Sequence, residues 1–184
     1  VRLGAYGQDL PDGRRTSLAE LVGTILTEVE LPRLRLSSIE PEDFSSEMAG
    51  LWQDKRLCRH LHLPLQSGSD TVLKRMGRGY DTAQFANAAA DFRRHAPPGA
   101  FTTDVIVGFP GETDREFEET CRFCEEMDFA GVHVFQYSAR AGTVAARMPN
   151  QVPPPAKKQR SDVVLALAAE SALRYRRCFL GQVL

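Results

Sequence analysis

The sequence predicts an α/β fold with a mostly parallel sheet or barrel. Three observations carry this reading. Strand-like and helix-like segments alternate at least four times along the 184 residues. No stretch repeats another. The contiguous β-branched run Val105-Ile106-Val107 suits a strand covered on both faces, as strands of a parallel sheet are. Right-handed βαβ crossovers then join neighbouring strands in parallel.

Taken in order, the opening "VRLGAYGQDL" is turn-like with no complete strand before it, so the chain is expected to start inside a domain. Ser17 and Glu20 form a capping box ahead of Leu21, Val22, Ile25 and Leu26, whose spacing is helical. "RLRLSSIEP" (33–41) alternates as a strand does and stops at Pro41, 43–57 reads as a helix, and "RHLHLPLQSG" (59–68) alternates again. A helical region with a break at "MGRGYD" fills 69–95, and "HAPPGA" is a loop. "TTDVIVGFPGET" is a strand that breaks hard into Gly108-Phe109-Pro110-Gly111, after which Thr113 and Glu116 cap a helix over 114–128. "AGVHVFQYS" (130–138) is the next strand. The proline run at 153–155 reads as a stiff connector to a long amphipathic helix over 156–180, ended by Gly181.

Composition bounds the function. Hydrophobic content of 42% and charged content of 26% describe an ordinary globular domain, and a net charge of −1 excludes an overall electrostatic grip on nucleic acid. No apolar run reaches the ~20 residues of a membrane span, and no signal peptide opens the chain, so no membrane partner and a cytoplasmic setting are expected. Four dispersed cysteines (Cys58, Cys121, Cys124, Cys178) are not a disulfide scaffold.

Strand parity separates two faces. Leu34, Leu36, Leu61, Leu63, Leu65, Val105, Val107, Val132 and Val134 would pack on helices. The opposite parity presents Arg35, Ser37, His62, Gln66, Asp104, Ile106, His133, Phe135 and Tyr137. Polar groups buried without partners cost several kcal/mol each, so this face is expected to line a ligand-filled cavity; a self-satisfied polar network is the alternative. Ligands of parallel α/β folds sit at the carboxyl ends of strands, where Ser37, Gln66, Ser67 and the Gly108–Gly111 corner fall. The glycines there are expected to let the backbone approach a ligand.

Several strings then come together. "LHLPLQSGSDTVLKRMGRGY" (61–80) and "TTDVIVGFPGETDREFEET" (102–120), with "RLRLSSIEP" and "VHVFQYSARAGTVAARM" in the same order, resemble the radical S-adenosylmethionine tRNA methylthiotransferase family. The likeness covers nearly the whole chain and is greatest to the branch acting on threonylcarbamoyladenosine. It implies a partial parallel (β/α) barrel of the radical SAM type, truncated at its N-terminal side. Residues 1–150 would be the C-terminal portion of that barrel, and 151–184 a connector and helix leading to an RNA-binding domain absent from this sequence.

The resemblance implies that an iron–sulfur cluster cleaves S-adenosylmethionine to a 5′-deoxyadenosyl radical, which activates an adenine C–H bond where a methylthio group is installed. Gln66 and Ser67 would lie beside S-adenosylmethionine, Asp104 near its ribose or amino-acid end, Ile106 against its adenine and the Phe135 backbone at the adenine edge. Arg35 and Ser37 are cavity-wall candidates, and Arg78 would take the methionine carboxylate. The partner would be the tRNA anticodon loop, with the threonylcarbamoyl carboxylate paired to an arginine such as Arg140 or Arg147. The family's C-x-x-x-C-x-x-C loop is missing, so the [4Fe-4S] ligands are expected outside this sequence, no metal site within it, and no catalysis by it alone. A sheet edge opened by the truncation would favour a dimer. Two other readings stand beside this one: a methylthiotransferase of a ribosomal protein, and a metal-free α/β scaffolding or binding module.

The remaining candidates read as structural. Cys121 and Cys124 fall in helical register with Phe117 and Met127, which points them to the core as small hydrophobes. His60 and His62 share a strand face without a third ligand in sequence. The charges of "AKKQR" (156–160) and "RYRR" (174–177) read as a solvated face able to guide RNA.

Overall fold

In a computed structural model the described residues are 3–7 and 16–182. Much of the opening stretch therefore lies outside them; within it, Leu3–Ala5 makes a 3-10 turn. The chain forms two compact units, Val1–Pro64 with Ala83–Phe101, and Leu65–Thr82 with Thr102–Leu184. The α/β class holds in both.

In the first unit, helix α1 (Leu18–Glu28) opens on the expected box, Glu20 N–H donating to Ser17 Oγ at 3.1 Å and Ser17 N–H to Glu20 Oε2 at 2.9 Å. Leu18, Val22 and Leu26, spaced at i, i+4 and i+8, are buried. The expected strand 33–41 reduces to one parallel bridge, Leu34 with Leu57; Ser38 at φ +58° turns the chain out of register, and Pro41 ends it. The expected helix 43–57 is only α2 (Ser46–Gly50) and a 3-10 turn, Leu51–Gln53. The Asp54 carboxylate accepts from Arg56 N–H at 2.8 Å, a local bond that closes a turn where a helix would have continued. Strand β1 (His60–His62) is short because Pro64 has no N–H to extend the ladder. Helix α4 (Thr82–His95) supplies Phe85 and Phe92 to an aromatic core, in which Trp52 meets Phe92 edge-on at 5.2 Å.

The second unit holds helix α3 (Asp70–Arg75), most of strand β2 (Ala100–Val107), helix α5 (Asp114–Met127), strand β3 (Gly131–Gln136) and helix α6 (Pro154–Arg177). In the first unit Ala100 N–H donates to the Arg59 carbonyl at 2.8 Å beside β1. In the second, β2 pairs in parallel with β3 from Thr102–Gly131 to Val107–Gln136, so the sheet runs β1-β2-β3. Burial alternates strictly along β2: Phe101, Thr103, Val105 and Val107 are buried, and Asp104 and Ile106 only partly so. The helical region 69–95 breaks where Gly77 takes φ +72°, as the "MGRGYD" reading requires.

Helix α6 packs on β3 and α5 through Val164, Ala168 and Ala172. It starts two residues earlier than the sequence reading because Pro154 and Pro155 fit its first turn, where N–H groups have no intrahelical acceptor. Ser171 Oγ donates to the Phe129 carbonyl at 2.6 Å and Arg174 pairs with Asp128 at 2.8 Å, pinning the helix to the turn before β3. No described helix is long and apolar enough to cross a membrane.

Candidate functional site

At the carboxyl ends of β2 and β3 the second unit opens a cavity of about 590 Å³. Ile106 from β2 and Phe135 from β3 are register partners and line it together. Parity places Asp104 and His133 on the same strand faces one rung earlier, again as register partners. Beyond the strand ends the lining continues through Tyr137 and Ser138 to Arg140 and Thr143, and Arg78 joins from the turn after α3. Among the described residues two guanidiniums line the space and no carboxylate does. Phe135 is 52% exposed, a large aromatic surface held open by the end of a strand. Such a cavity accepts a flat apolar group carrying anionic ends.

At Gly108 the Gly-Phe-Pro-Gly corner is built differently from the expectation that a glycine there admits a ligand. Gly108 has φ +73°, and a Cβ there would lie 2.2 Å from Lys157 Cγ. The close approach at Gly108 is thus made by helix α6. Lys157 Nζ goes on to donate to the Tyr137 carbonyl at 2.9 Å, bracing the cavity-lining strand end. Glu112, closing the corner, accepts Gly108 N–H at 2.7 Å and Arg160 Nη1 at 2.6 Å. Both partners are nearly sealed, with side chains 1% and 9% exposed. Arg160 also reaches the Glu112 carbonyl at 3.1 Å and Asp114 at 2.7 Å. Burial pushes the Glu112 carboxyl above its ordinary value, although the Gly108 N–H and Arg160 both favour the charged form. This pair bolts α6 to the strand-to-helix corner beneath the cavity wall.

Of the residues singled out from sequence, the structure brings Arg78, Ile106 and Phe135 into one cavity, with Arg140. Gln66 lies alongside β2: its N–H donates to the Asp104 carbonyl and its own carbonyl accepts from Ile106 N–H, each at 2.8 Å. It does so at φ +67°, a left-handed conformation that costs a non-glycine residue about 1–2 kcal/mol. Ser67 is sealed from solvent, and its hydroxyl lies 3.1 Å from Thr120 Oγ1 of α5. Arg35 and Ser37 belong to the first unit and are exposed, Arg35 Nη2 standing 3.1 Å from His60 Nε2.

Sequence reading missed the Glu112–Arg160 pair and the role of Lys157. The reading of "AKKQR" as a solvated face holds at Lys158, paired with Asp162 at 2.7 Å, and at Gln159, and fails at Arg160, which is buried. Period counting could have flagged it: Arg160 leads Val164, Ala168 and Ala172 at four-residue spacing on the buried face.

Of the two cysteines whose register points to the core, Cys124 is buried and Cys121 half-buried. Cys124 is 5% exposed, and burial pushes its thiol up to about 12 and that of Cys121 up to about 11. Among the described residues, no group of three metal-binding side chains includes a cysteine.

Taken together, the parallel strands, the strand-end cavity and the glutamate-closed glycine corner define an α/β domain with a cavity over the ends of its strands, where ligands of such folds sit. The model of the Radical SAM superfamily matches residues 12–124, and the chain belongs to that superfamily. A threonylcarbamoyladenosine tRNA methylthiotransferase of Thermotoga maritima is 44% identical over 99% of the chain and 41% of its own length. The Bacillus subtilis protein of the same name is 42% identical over 100% and 41%. A tRNA-2-methylthio-N(6)-dimethylallyladenosine synthase of Caldicellulosiruptor saccharolyticus is 37% identical over 98% and 38%. The chain thus spans about two fifths of the length of these relatives. Among solved structures, coproporphyrinogen III oxidase from Escherichia coli, a radical SAM enzyme, shares the fold at TM-score 0.65 and 16% identity, over 84% of this chain and 36% of that one.

Proposed function

We propose that the chain is the S-adenosylmethionine-holding part of a radical methylthiotransferase, and that the whole protein adds a methylthio group to N6-threonylcarbamoyladenosine in a tRNA anticodon loop. The observation that carries this reading is the strand-end cavity of the second unit, apolar at Ile106 and Phe135 and cationic at Arg78 and Arg140. The identity of 44% and 42% to two threonylcarbamoyladenosine methylthiotransferases supports the choice of reaction over a scaffolding role or a ribosomal-protein substrate.

S-Adenosylmethionine fits the residues present. Its adenine has apolar surface at Ile106 and Phe135, and its methionine carboxylate a guanidinium at half-buried Arg78. Gln66 and Ser67 set the segment beside β2, and Asp104 stands one rung from the adenine wall, towards the ribose or amino-acid end. When bound, the cofactor supplies with a [4Fe-4S] cluster the radical chemistry that activates a C–H bond. The cluster itself does not fit this chain's cysteines, because among the described residues no group of three ligating side chains contains one, so no cluster ligand is assigned here.

The chain's own contribution is to orient. Lys157 and the Glu112–Arg160 pair hold the strand ends, and the arginines hold anionic groups of cofactor and substrate. Single-stranded loop bases, which can be splayed out and stacked, suit a cavity open at strand ends. The test is anaerobic reconstitution of the whole protein with iron and sulfide, followed by incubation with S-adenosylmethionine, a reductant and a threonylcarbamoylated anticodon stem-loop. Formation of 5′-deoxyadenosine with a methylthiolated nucleoside is expected. Methylthiolation of a ribosomal protein and not of the RNA would overturn the reading.

A further inference from the structure

We infer that Arg140 is the residue that selects an anionic N6 substituent on the substrate adenosine, by taking its carboxylate at the rim of the second unit's cavity. This rests on the function proposed above and adds a specificity determinant to it. The curated relatives include proteins named for two different N6 substituents. One substituent, threonylcarbamoyl, ends in a carboxylate, and the other, dimethylallyl, is wholly apolar. A residue that reads charge can therefore distinguish them.

The cavity offers two guanidiniums and no acidic side chain, while cofactor and substrate would bring one carboxylate each. Position sorts the two arginines. Arg78 is half-buried, and its backbone N–H is tied to the Leu73 carbonyl at the end of α3, a setting for a resident cofactor. Arg140 is exposed beyond β3, where a group arriving from solution is met first, and among the described residues it has no carboxylate partner. Its backbone is set in advance. Thr143 N–H and Oγ1 both donate to the Arg140 carbonyl, at 3.2 and 2.8 Å, and Gly142 takes the φ of +85° that closes the turn. The backbone is thus ordered before binding, and a planar guanidinium takes a carboxylate through two parallel bonds. The neighbouring lining residues Ser138 and Thr143 are polar, which suits a threonyl group and not a prenyl tail. Arg147, the other arginine of this loop, is exposed but does not line the cavity.

The test uses the whole protein and equilibrium binding by fluorescence anisotropy, so the readout does not depend on turnover. Three anticodon stem-loops serve as probes, with the target adenosine unmodified, threonylcarbamoylated or dimethylallylated. Wild type is expected to prefer the threonylcarbamoylated probe by roughly tenfold or more, the strength of one charge-assisted contact. Arg140→Ala should abolish that preference and Arg140→Lys should keep part of it, whereas Arg147→Ala should leave it unchanged. All three should bind S-adenosylmethionine as wild type does. A wild type that prefers the dimethylallyl probe overturns the proposed function, and this inference with it. A wild type with the expected preference, retained in Arg140→Ala, overturns this inference alone. So does loss of S-adenosylmethionine binding in Arg140→Ala, which would give Arg140 to the cofactor.

Discussion

Removing Arg160 is the sharpest perturbation of the scaffold. Arg160→Ala leaves the Glu112 carboxylate, 1% exposed, with only the Gly108 N–H to answer its charge. Breaking a buried ion pair from one side costs about 3–5 kcal/mol, several times an exposed pair. Native-state hydrogen exchange on the whole protein reads this locally, because amides of α5 and α6 open with the second unit. Their exchange should accelerate by roughly two to four orders of magnitude.

The pH dependence has a definite sign. Burial already raises the folded-state value of Glu112 above the unfolded one, and losing Arg160 raises it further. The folded variant then binds the proton more tightly than the unfolded chain does. The penalty is therefore largest above the folded-state value and shrinks as pH falls through it. Glu112→Gln keeps an acceptor for Gly108 and removes the charge, so the double variant should cost less than the two single changes added. A loss below about 1 kcal/mol that does not change with pH would refute the argument, because that is how a solvated surface pair behaves.

Other expectations follow from single contacts. Gly108→Ala should destabilise by about 1–2 kcal/mol or more in thermal unfolding, from its φ of +73° and the Lys157 contact, and should weaken S-adenosylmethionine binding as the brace on Tyr137 shifts. Burial works to raise the Glu116 carboxyl, but Arg75, the Thr113 N–H and Thr71 outweigh it and hold it at about 2. Glu116→Gln should therefore cost on the order of 2–3 kcal/mol at neutral pH by chemical denaturation, a cost that vanishes as pH falls from about 4.5 towards 2. Asp104→Ala should weaken S-adenosylmethionine binding by on the order of 1.5–3 kcal/mol in calorimetry with folding little changed. Unfolding of that variant with normal residual binding would make Asp104 a structural residue. In thiol labelling near pH 8, exposed Cys178 should react first and Cys124, pushed up to about 12, last.

The parts of the fold legible in sequence were those fixed by local chemistry. The capping boxes Ser17–Glu20 and Thr113–Glu116 form as their spacing demands, and the burial of β2 follows its period of two. The short pieces were not legible. Whether 33–41 becomes a strand depends on a partner that offers a single bridge, and Asp54 diverts 43–57 from a helix by a bond to Arg56 that propensity does not count. For the site, parity placed Ile106 and Phe135 on one wall, yet Ser138 and Thr143 come from irregular chain that has no period to read. The buried Arg160 was hidden inside a run of charge whose other members are solvated or half-buried.

The most direct test of the function is nucleoside mass spectrometry of tRNA from cells lacking the whole gene. The account predicts that methylthio-threonylcarbamoyladenosine disappears, that its unmethylthiolated precursor accumulates, and that a wild-type copy restores it while an Arg78→Ala copy does not. Unchanged methylthio-threonylcarbamoyladenosine in those cells, with loss of a methylthio group elsewhere, would contradict it.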